Sequence, residues 1–254
     1  MTHGRFVWFD LMTPEPEKAR AFYAKLFGWK TEEHRMPDGT YTIWHLGDRK
    51  LGGMMGMDPK KGVPPHWMPY VSVPGLDAAL EKARALGAKQ VTPAMAAPDV
   101  GRWAVLADPQ GGYITPFETA KEMPLPPEGE QGMQPVGSFC WVELNSTDPD
   151  GSVRFYSGLF PWRVESMSMG EYGAYHLLYA GQEQVGGIGP VQGPPMTYWL
   201  SYVHVADVDA SAKRARELGA KVHYGPADIP EVGRFAVVED PTGAAFALGK
   251  RARS

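Results

Sequence analysis

Cysteine is almost absent from the sequence, since Cys140 is the only one among 254 residues. A lone cysteine excludes a disulfide within the chain and suits a reducing compartment. Long apolar runs are missing as well: none approaches the roughly 18 residues that a membrane span needs, and the N-terminal residues lead into a strand-like segment rather than a signal peptide. We therefore expect a cytoplasmic protein that does not enter a membrane.

Clusters of positive charge are also missing. The chain carries 25 Lys and Arg against 29 Asp and Glu, which gives a formal net charge of −4 and an isoelectric point near 6.0. No Lys/Arg run is longer than two residues, so the basic patch of a nucleic-acid-binding surface is not present. We predict that the chain does not bind nucleic acid.

The composition is that of a globular protein with many turns. Apolar residues make up 43% of the chain and charged residues 21%, and 30 glycines with 24 prolines favour short strands over long helices. At about 150 residues per domain, the length predicts one or two domains.

The sequence contains an internal repeat, which decides the domain organisation. Four segments of the first half recur in the second half in the same order, with Phe22 matching Phe155 and Asp108 matching Asp240. Repetition at a nearly constant offset, 133 residues for the first two segments and 132 for the last two, indicates two copies of one structural unit. The matched segments are 6–11 with 139–144, 21–29 with 154–162, 100–105 with 232–237, and 108–111 with 240–243.

A proline-rich segment separates the two copies. Residues 122–135 contain four prolines and two glycines, a composition typical of a semi-extended linker. We therefore predict a first domain over residues 1–121, a linker over 122–135 and a second domain over 136–254.

Each copy divides again into two similar halves. Residues 17–27 and 76–86 have apolar residues at helical spacing and stop before Gly28 and Gly87. Each predicted helix follows one strand-like segment and precedes three more, so the chain reads as four β-α-β-β-β modules of an α+β fold. The strands predicted in the first copy are 5–12, 29–34, 41–46, 50–57, 70–73, 89–92, 102–107 and 113–118. The glycine pairs 52–53 and 186–187 inside strands predict bulges or a close approach of two backbones.

This order of elements, with Phe22-Tyr23 followed by Leu-Phe-Gly-Trp at residues 26–29 and a late Asp-Pro-x-Gly hairpin, resembles the vicinal oxygen chelate superfamily. That superfamily contains glyoxalase I, bleomycin-resistance proteins and extradiol dioxygenases, and the resemblance covers both copies. The chain is most similar to its two-domain glyoxalase-like branch, which includes a mycobacterial antigen. The resemblance implies tandem domains whose curved sheets enclose cavities, and it leaves the chemistry open because one fold supports many functions.

In the superfamily's metal enzymes, the metal ligands lie on the first and last strands of each module. The positions that match here carry no histidine and no carboxylate, the donors that a divalent ion of this type prefers. We therefore expect no cofactor and no metal in the usual position, although a divalent metal held elsewhere stays open. The matched positions are Trp8, Met54 or Met55, Met68 and Thr115 in the first copy, and Trp141, Gly187 or Ile188, Leu200 and Ala247 in the second.

Asp10 and Glu143 are the candidate catalytic residues. Each lies two residues after a tryptophan on the first strand of its copy, so each carboxylate shares a strand face with an indole ring. If that face lines a cavity, the acid can accept a ligand hydroxyl or act as a general base. The alternative is that both acids have a structural role, pairing with an arginine or capping a helix.

Further residues are candidates for contacting a ligand. Aromatic and methionine side chains predict an apolar lining, and two arginines that each follow a glycine are candidates for holding an anion. An ordinary core, structural ion pairs and a structural histidine are the competing interpretations. The ligand-binding candidates are Trp8, Trp141, Tyr41, Tyr70, Tyr202, His204, Arg102 and Arg234.

We therefore predict a protein that binds a small, partly apolar metabolite in one or both cavities, as a monomer or a homodimer. Two enzymatic alternatives remain open. One is a lyase, isomerase or hydroxylase-like enzyme that uses Asp10 or Glu143 in acid–base catalysis, and the other is a metal-dependent lyase of the glyoxalase type.

Overall fold

The computed structural model describes residues 3–36, 39–121, 134–170, 173–191, 195–230 and 232–252. Most of the predicted linker, residues 122–133, lies outside the described residues. Within the described part of the chain, no helix is long and apolar enough to cross a membrane.

In the described residues, four α-helices form where the apolar spacing predicts them. Proline occupies the first turn of α1 and α3, where its missing N–H costs nothing. Asp148 and Asp207 cap α3 and α4 by accepting backbone N–H groups, and Gly28 ends α1 in the left-handed conformation that glycine adopts without strain. The helices are α1 (Pro16–Phe27), α2 (Leu76–Ala85), α3 (Pro149–Leu159) and α4 (Val208–Glu217).

Eighteen strands accompany these helices in the described residues, and they repeat the order strand, helix, strands four times. The first module contains β1 (Phe6–Thr13), β2 (Lys30–Met36), β3 (Gly39–Leu46) and β4 (Arg49–Gly56). The second contains β5 (His66–Ser72), β6 (Lys89–Gln90), β7 (Met95–Ala97), β8 (Gly101–Trp103), β9 (Leu106–Ala107) and β10 (Tyr113–Thr119). The third contains β11 (Phe139–Ser146), β12 (Trp162–Ser168), β13 (Ala174–Ala180) and β14 (Glu183–Pro190). The fourth contains β15 (Tyr198–His204), β16 (Lys221–Ile229), β17 (Gly233–Glu239) and β18 (Ala245–Arg251).

Within each module the first strand lies parallel to the last. β1 pairs with β4, β5 with β10, β11 with β14, and β15 with β18. The hairpin pairs inside the modules are antiparallel, for example β3 with β4 and β17 with β18. The predicted α+β fold of four β-α-β-β-β modules is confirmed.

The second module departs from the predicted strand pattern. The predicted strand over 102–107 is divided into β8 and β9, and the short strand β7 was not predicted. The Val105 N–H donates to the Thr92 hydroxyl, and the Val105 carbonyl accepts from the Val91 N–H. Both backbone hydrogen bonds of Val105 are therefore made outside the β8–β10 ladder. Local side-chain hydrogen bonds of this kind compete with strand pairing.

The described residues belong to two compact units that cut across the sequence repeat. Unit 1 comprises Met1–Val7, Met68–Pro127 and Val142–Trp199, and unit 2 comprises Trp8–Trp67, Glu128–Trp141 and Leu200–Ser254. Each unit therefore combines one module of the first copy with one module of the second. The domain boundaries 1–121 and 136–254 describe the repeat of the sequence and stay a prediction.

Unit 2 is built around an aromatic core that joins residues of both copies. The Tyr23 hydroxyl donates to Asp240 Oδ2 at 2.8 Å, and Trp67 Nε1 donates to the Tyr23 oxygen at 2.9 Å. Trp29 stacks on Tyr23 at 5.3 Å and donates to the Gly137 carbonyl at 2.8 Å. Burial of these large rings is the main source of stability here, and the hydrogen bonds satisfy their polar ends.

Unit 1 contains the equivalent arrangement with the roles of the copies exchanged. The Tyr156 hydroxyl donates to Asp108 Oδ2 at 2.7 Å, and Trp199 Nε1 donates to the Tyr156 oxygen at 3.1 Å. Asp108 Oδ1 accepts the backbone N–H groups of Gln110 and Gly112. The Asp-Pro-x-Gly segments are therefore more than turns, because their buried aspartates also anchor the aromatic cores.

Candidate functional site

One sheet face of unit 2 presents an acid among apolar side chains. Asp10 pairs with Gly53 across the parallel β1–β4 ladder, and Tyr41 on β3 pairs with Met55 on β4. Since strand residues alternate between faces, Trp8, Asp10, Tyr41 and Met55 share one face of these three strands. Asp10 is only 4% exposed, so its carboxylate needs hydrogen-bond donors.

Those donors come from two aromatic side chains of the same unit, which together with the acid form the Asp10 cluster (Trp8, Asp10 and Tyr41). The Tyr41 hydroxyl donates to Asp10 Oδ1 at 2.8 Å, and Trp8 Nε1 reaches the same oxygen at 2.9 Å and the Tyr41 oxygen at 2.8 Å. Burial and the nearby Asp10 charge raise the pKa of Tyr41 far above its usual range. A raised pKa keeps the Tyr41 hydroxyl protonated near neutral pH, where it donates to Asp10.

Glycine at position 53 is required for this geometry. A Cβ on Gly53 would lie 2.0 Å from the Tyr41 hydroxyl oxygen and 2.5 Å from Asp10 Oδ1. At the adjacent Gly52 a Cβ would lie 2.0 Å from the Phe9 carbonyl oxygen. The close approach predicted for this glycine pair is present. Because Gly53 has no side chain, the Tyr41 side chain can pass over β4 and reach Asp10.

The third module, in unit 1, carries a related arrangement, the Glu143 cluster (Glu143, Asn145 and Tyr175). The Tyr175 hydroxyl donates to Glu143 Oε2 at 2.9 Å, and Asn145 Nδ2 donates to Oε1 at 3.3 Å. A Cβ on Gly187 would lie 2.2 Å from the Tyr175 hydroxyl oxygen, which repeats the role of Gly53. Glu143 is half-buried rather than buried, so this cluster is wetter than the first. Burial, followed by the Glu143 charge, raises the pKa of Tyr198.

Tyr175 is the site residue that the sequence interpretation missed. It occupies the place in the second copy that Tyr41 occupies in the first, since each tyrosine lies near the start of a strand that is followed by the strand with the glycine pair. Extending the repeat alignment from the first strands to the third ones would have found it. Asn145, which replaces Met12, could not have been recognised because its hydrogen bond to Glu143 is visible only in the folded geometry.

The two candidate arginines form ion pairs. Arg102 holds Asp77 with two N–H···O contacts of 2.9 Å and reaches Glu118 at 3.3 Å. Arg234 pairs with Asp209 at 2.7 Å and with Asp228 at 2.9 Å. These partners suit a structural role, and a ligand-binding role for either arginine stays a prediction.

The remaining ligand-binding candidates lie on the later modules. In unit 1, Tyr70 is buried and contacts the Phe117 ring at 6.3 Å. In unit 2, Tyr202 and His204 share a face of β15, and His204 Nδ1 lies 2.5 Å from the Gln134 carbonyl oxygen. Trp141, also in unit 2, has the Arg251 guanidinium 5.7 Å from its ring centroid.

The superfamily's metal does not fit the residues present. Within the described residues, no three His, Cys, Asp or Glu side chains come together in a group that could hold a metal ion. At the matched first-module positions, Trp8 presents an N–H donor, and Met54 is buried on the opposite face, next to Leu11. A tryptophan N–H and a thioether are poor ligands for a divalent ion that prefers histidine and carboxylate.

Comparison with known families identifies both copies of the repeat. The glyoxalase-like domain family matches residues 6–115 and again residues 141–249. These two ranges cover most of the chain and agree with the repeat that the sequence shows.

Proteins of similar sequence and similar fold extend this match. CFP32 of Mycobacterium tuberculosis (strain CDC 1551 / Oshkosh), named as a candidate glyoxylase, is 34% identical over 251 residues, covering 96% of this chain and 94% of its own. The anthracycline biosynthesis protein DnrV of Streptomyces peucetius is 30% identical over 267 residues, covering 96% and 92%. The Mn(II)-bound glyoxalase of Novosphingobium aromaticivorans has a TM-score of 0.67 at 16% identity, covering 98% and 82%. The 2,3-dioxygenase LapB of Pseudomonas sp. KL28 has a TM-score of 0.68 at 13% identity, covering 100% and 96%. The structural likenesses show a shared fold, that of tandem vicinal-oxygen-chelate domains.

Proposed function

The chain belongs to the glyoxalase-like domain family, and on that premise we propose that it binds a small, partly apolar metabolite at the Asp10 and Glu143 clusters. The proposal includes the absence of a divalent ion from the superfamily's usual position. Relatives named for glyoxylase activity or for anthracycline biosynthesis support a small organic ligand as the class.

The observation that carries this proposal is the environment of Asp10. A 4% exposed carboxylate on a strand face otherwise formed by Trp8, Tyr41 and Met55 combines one strong acceptor with an apolar surface. Small-molecule sites are generally built in this way, with a few placed polar groups in an apolar lining. The ligand's hydroxyl or amide N–H would be oriented by the acid, and its apolar part would contact the indole and methionine side chains.

A thermal-shift screen tests the proposal. Aromatic polyketides and keto-aldehydes are added to the wild-type protein and to the Asp10→Asn and Glu143→Gln variants, which keep size and lose charge. A ligand that binds only the folded state raises the melting temperature by mass action, so a ligand of these sites stabilises the wild type more than the variants. Equal stabilisation of all three proteins would show that neither acid contributes to binding.

A second candidate function is acid–base catalysis at the same cluster. The favouring observation is the 2.8 Å hydrogen bond between the Tyr41 hydroxyl, whose pKa is raised by burial and by the Asp10 charge, and the carboxylate. In such a pair the carboxylate can take a proton from a carbon acid while the phenol donates to the oxygen on which charge develops. A turnover assay on any ligand found by the screen separates the two functions. If the cluster is catalytic, the Asp10→Asn variant has no turnover but binds the product with the same affinity as the wild type.

A further inference from the structure

Unit 1 contains a cavity of about 530 Å³ beside one face of α2. This volume lies within the range of about 300 to 1,000 Å³ that is usual for small-molecule sites. The residues of α2 and its N-cap that contribute are three or four positions apart, so they follow a single face of the helix, and two of them are alanines that occupy little space. This α2 cavity is lined chiefly by His3, Gly75, Ala78, Ala79, Lys82 and Leu159.

The N-terminal segment forms one wall of the α2 cavity and is anchored there by hydrogen bonds. The Gly4 N–H donates to the Ser72 carbonyl at 2.9 Å, and Trp162 Nε1 donates to the Gly4 carbonyl at 2.6 Å. The neighbouring residue His3 is half-buried, and its Nδ1 is buried without a hydrogen-bond partner among the described residues. A buried polar atom in this state costs free energy until a partner supplies the missing hydrogen bond. A ligand with a polar group could supply it.

A single cation lines the α2 cavity. Lys82 is exposed, and no acid of the described part of the chain forms an ion pair with it. Apart from Lys82 and His3, the lining consists of glycine, alanine, valine, leucine and proline, without an acid or an aromatic ring. An aliphatic surface with one positive charge suits an aliphatic chain that ends in an anion.

The second copy of the repeat lacks this combination of polar groups. The residues that correspond to His3 and Lys82 are Val136 and Arg214. Valine offers no hydrogen bond, and Arg214 already pairs with Glu217 at 3.2 Å. The unpartnered imidazole nitrogen and the unpaired cation are therefore features of unit 1 that the equivalent positions of the repeat do not share.

We propose that the α2 cavity binds an aliphatic carboxylic acid, with the alkyl chain against Leu159 and the α2 alanines and with the carboxylate held by Lys82 and His3. Long side chains on a helix lean toward its N-terminus, the end at which Ser72 anchors the N-terminal segment, so both donors can reach one carboxylate. This site is separate from the proposed function, because no residue of the Asp10 or Glu143 cluster lines it.

A nuclear magnetic resonance titration of isotope-labelled protein tests the inference, with octanoate as the probe and 1-octanol as its uncharged counterpart. We expect both compounds to shift the backbone amide signals of Gly75 and Gly181, which line the cavity. We also expect octanoate to bind more tightly than 1-octanol, because only octanoate carries the charge that Lys82 complements.

Lys82→Gln tests the charge. We expect it to weaken octanoate by about threefold to fivefold, the range for an exposed ion pair, and to leave 1-octanol unchanged. Arg214→Gln removes a charge from the corresponding position of α4 and is the matched control, which should change neither affinity.

His3→Phe tests the unpartnered nitrogen, since it keeps a ring and removes both of its nitrogens. We expect it to weaken octanoate by at least about threefold, because hydrogen bonds to charged groups are among the stronger ones.

Ala79→Leu tests the space. Ala79 is 8% exposed and lines the cavity, so a larger side chain here takes up room that the alkyl chain would need. We expect it to weaken both probes by more than about fivefold. If Ala79→Leu fails to fold, Ala78→Leu serves in its place, because Ala78 is exposed on α2 and leucine is a good helix former.

The inference is overturned if the wild-type protein binds neither probe, or if the probes leave the Gly75 and Gly181 signals in place. It is also overturned if Lys82→Gln has the same effect as Arg214→Gln, if His3→Phe binds octanoate as the wild type does, or if the folded leucine variant binds both probes as the wild type does. None of these results decides the proposed function, which depends on the response of other ligands to Asp10→Asn and Glu143→Gln.

Discussion

At the scale of single residues, the distinctive feature is a buried carboxylate whose oxygen is shared by a phenol and an indole. Tyr41→Phe removes one donor and leaves the ring in place. Because hydrogen bonds to charged groups contribute about 1.5 to 3 kcal/mol, we expect the free energy of unfolding to fall by that amount. Urea unfolding monitored by circular dichroism measures it.

Tyr175→Phe is the matched variant at the second cluster. Glu143 is half-buried, so water can replace the lost donor and the expected loss is below about 1 kcal/mol. If Tyr175→Phe lowered the free energy of unfolding as much as Tyr41→Phe does, water would not be replacing the lost donor at Glu143. The difference in solvation inferred from the exposures of the two acids would then be wrong.

The arginine ion pairs predict a dependence of stability on pH. The hydrogen bond from Arg102 lowers the pKa of Asp77, and that from Arg234 lowers the pKa of Asp209. A lowered pKa in the folded state gives stabilisation that is present above the unfolded-state pKa of about 4 and is lost as the pH falls further. Arg102→Gln and Arg234→Gln should therefore lower the melting temperature slightly at pH 7 and leave it unchanged near pH 2.

Ligand titration of the same two variants tests the other interpretation of these arginines. If they serve only the ion pairs, the affinity for any ligand found by the screen stays at the wild-type value. A loss of affinity without a loss of stability would instead assign them to a ligand site.

At the scale of secondary structure elements, the clusters depend on glycine in the fourth strand of a module. Gly53→Ala would place a Cβ within 2.0 Å of the Tyr41 oxygen, and overpacking of this kind costs about 1 to 3 kcal/mol. Gly56→Ala on the same strand is the control, since its nearest atom would be 3.8 Å away. Thermal unfolding of both variants should show a large shift for the first and almost none for the second.

Much of the element pattern was predictable from the sequence. Residues 17–27 and 76–86 show helical spacing, and the helices observed are Pro16–Phe27 and Leu76–Ala85. The division of 102–107 into two strands was not predictable, because it follows from the hydrogen bond between Val105 and Thr92 rather than from any periodicity. Asp10 was recognisable from its repeated position after a tryptophan, whereas its pairing with Tyr41 depends on strand register.

At the scale of the whole molecule, the repeat was visible in the sequence but the composition of the compact units was not. Tyr23 of the first copy hydrogen-bonds Asp240 of the second, and Tyr156 of the second hydrogen-bonds Asp108 of the first. Such contacts join residues far apart in the chain and leave no signal in local spacing. The repeat alone therefore predicts four modules without showing which of them pack into one unit.

The metal content of the protein is a prediction at this scale. Because the matched positions carry poor ligands, purified protein should hold well below one equivalent of Zn, Ni, Mn or Fe by elemental analysis, and EDTA should not change its melting temperature. A bound metal would stabilise the fold through linkage. Stoichiometric metal together with a chelator-sensitive melting temperature would favour the metal-dependent lyase.

The most direct test of the central claim is calorimetric titration of a screened ligand into EDTA-treated wild-type protein and into the Asp10→Asn, Glu143→Gln double variant. The account predicts that the metal-free wild type binds and that the double variant, folded at the temperature of the titration, binds at least about tenfold more weakly, or about 1.4 kcal/mol. Unchanged affinity in the double variant, or binding that requires an added divalent ion, would contradict it.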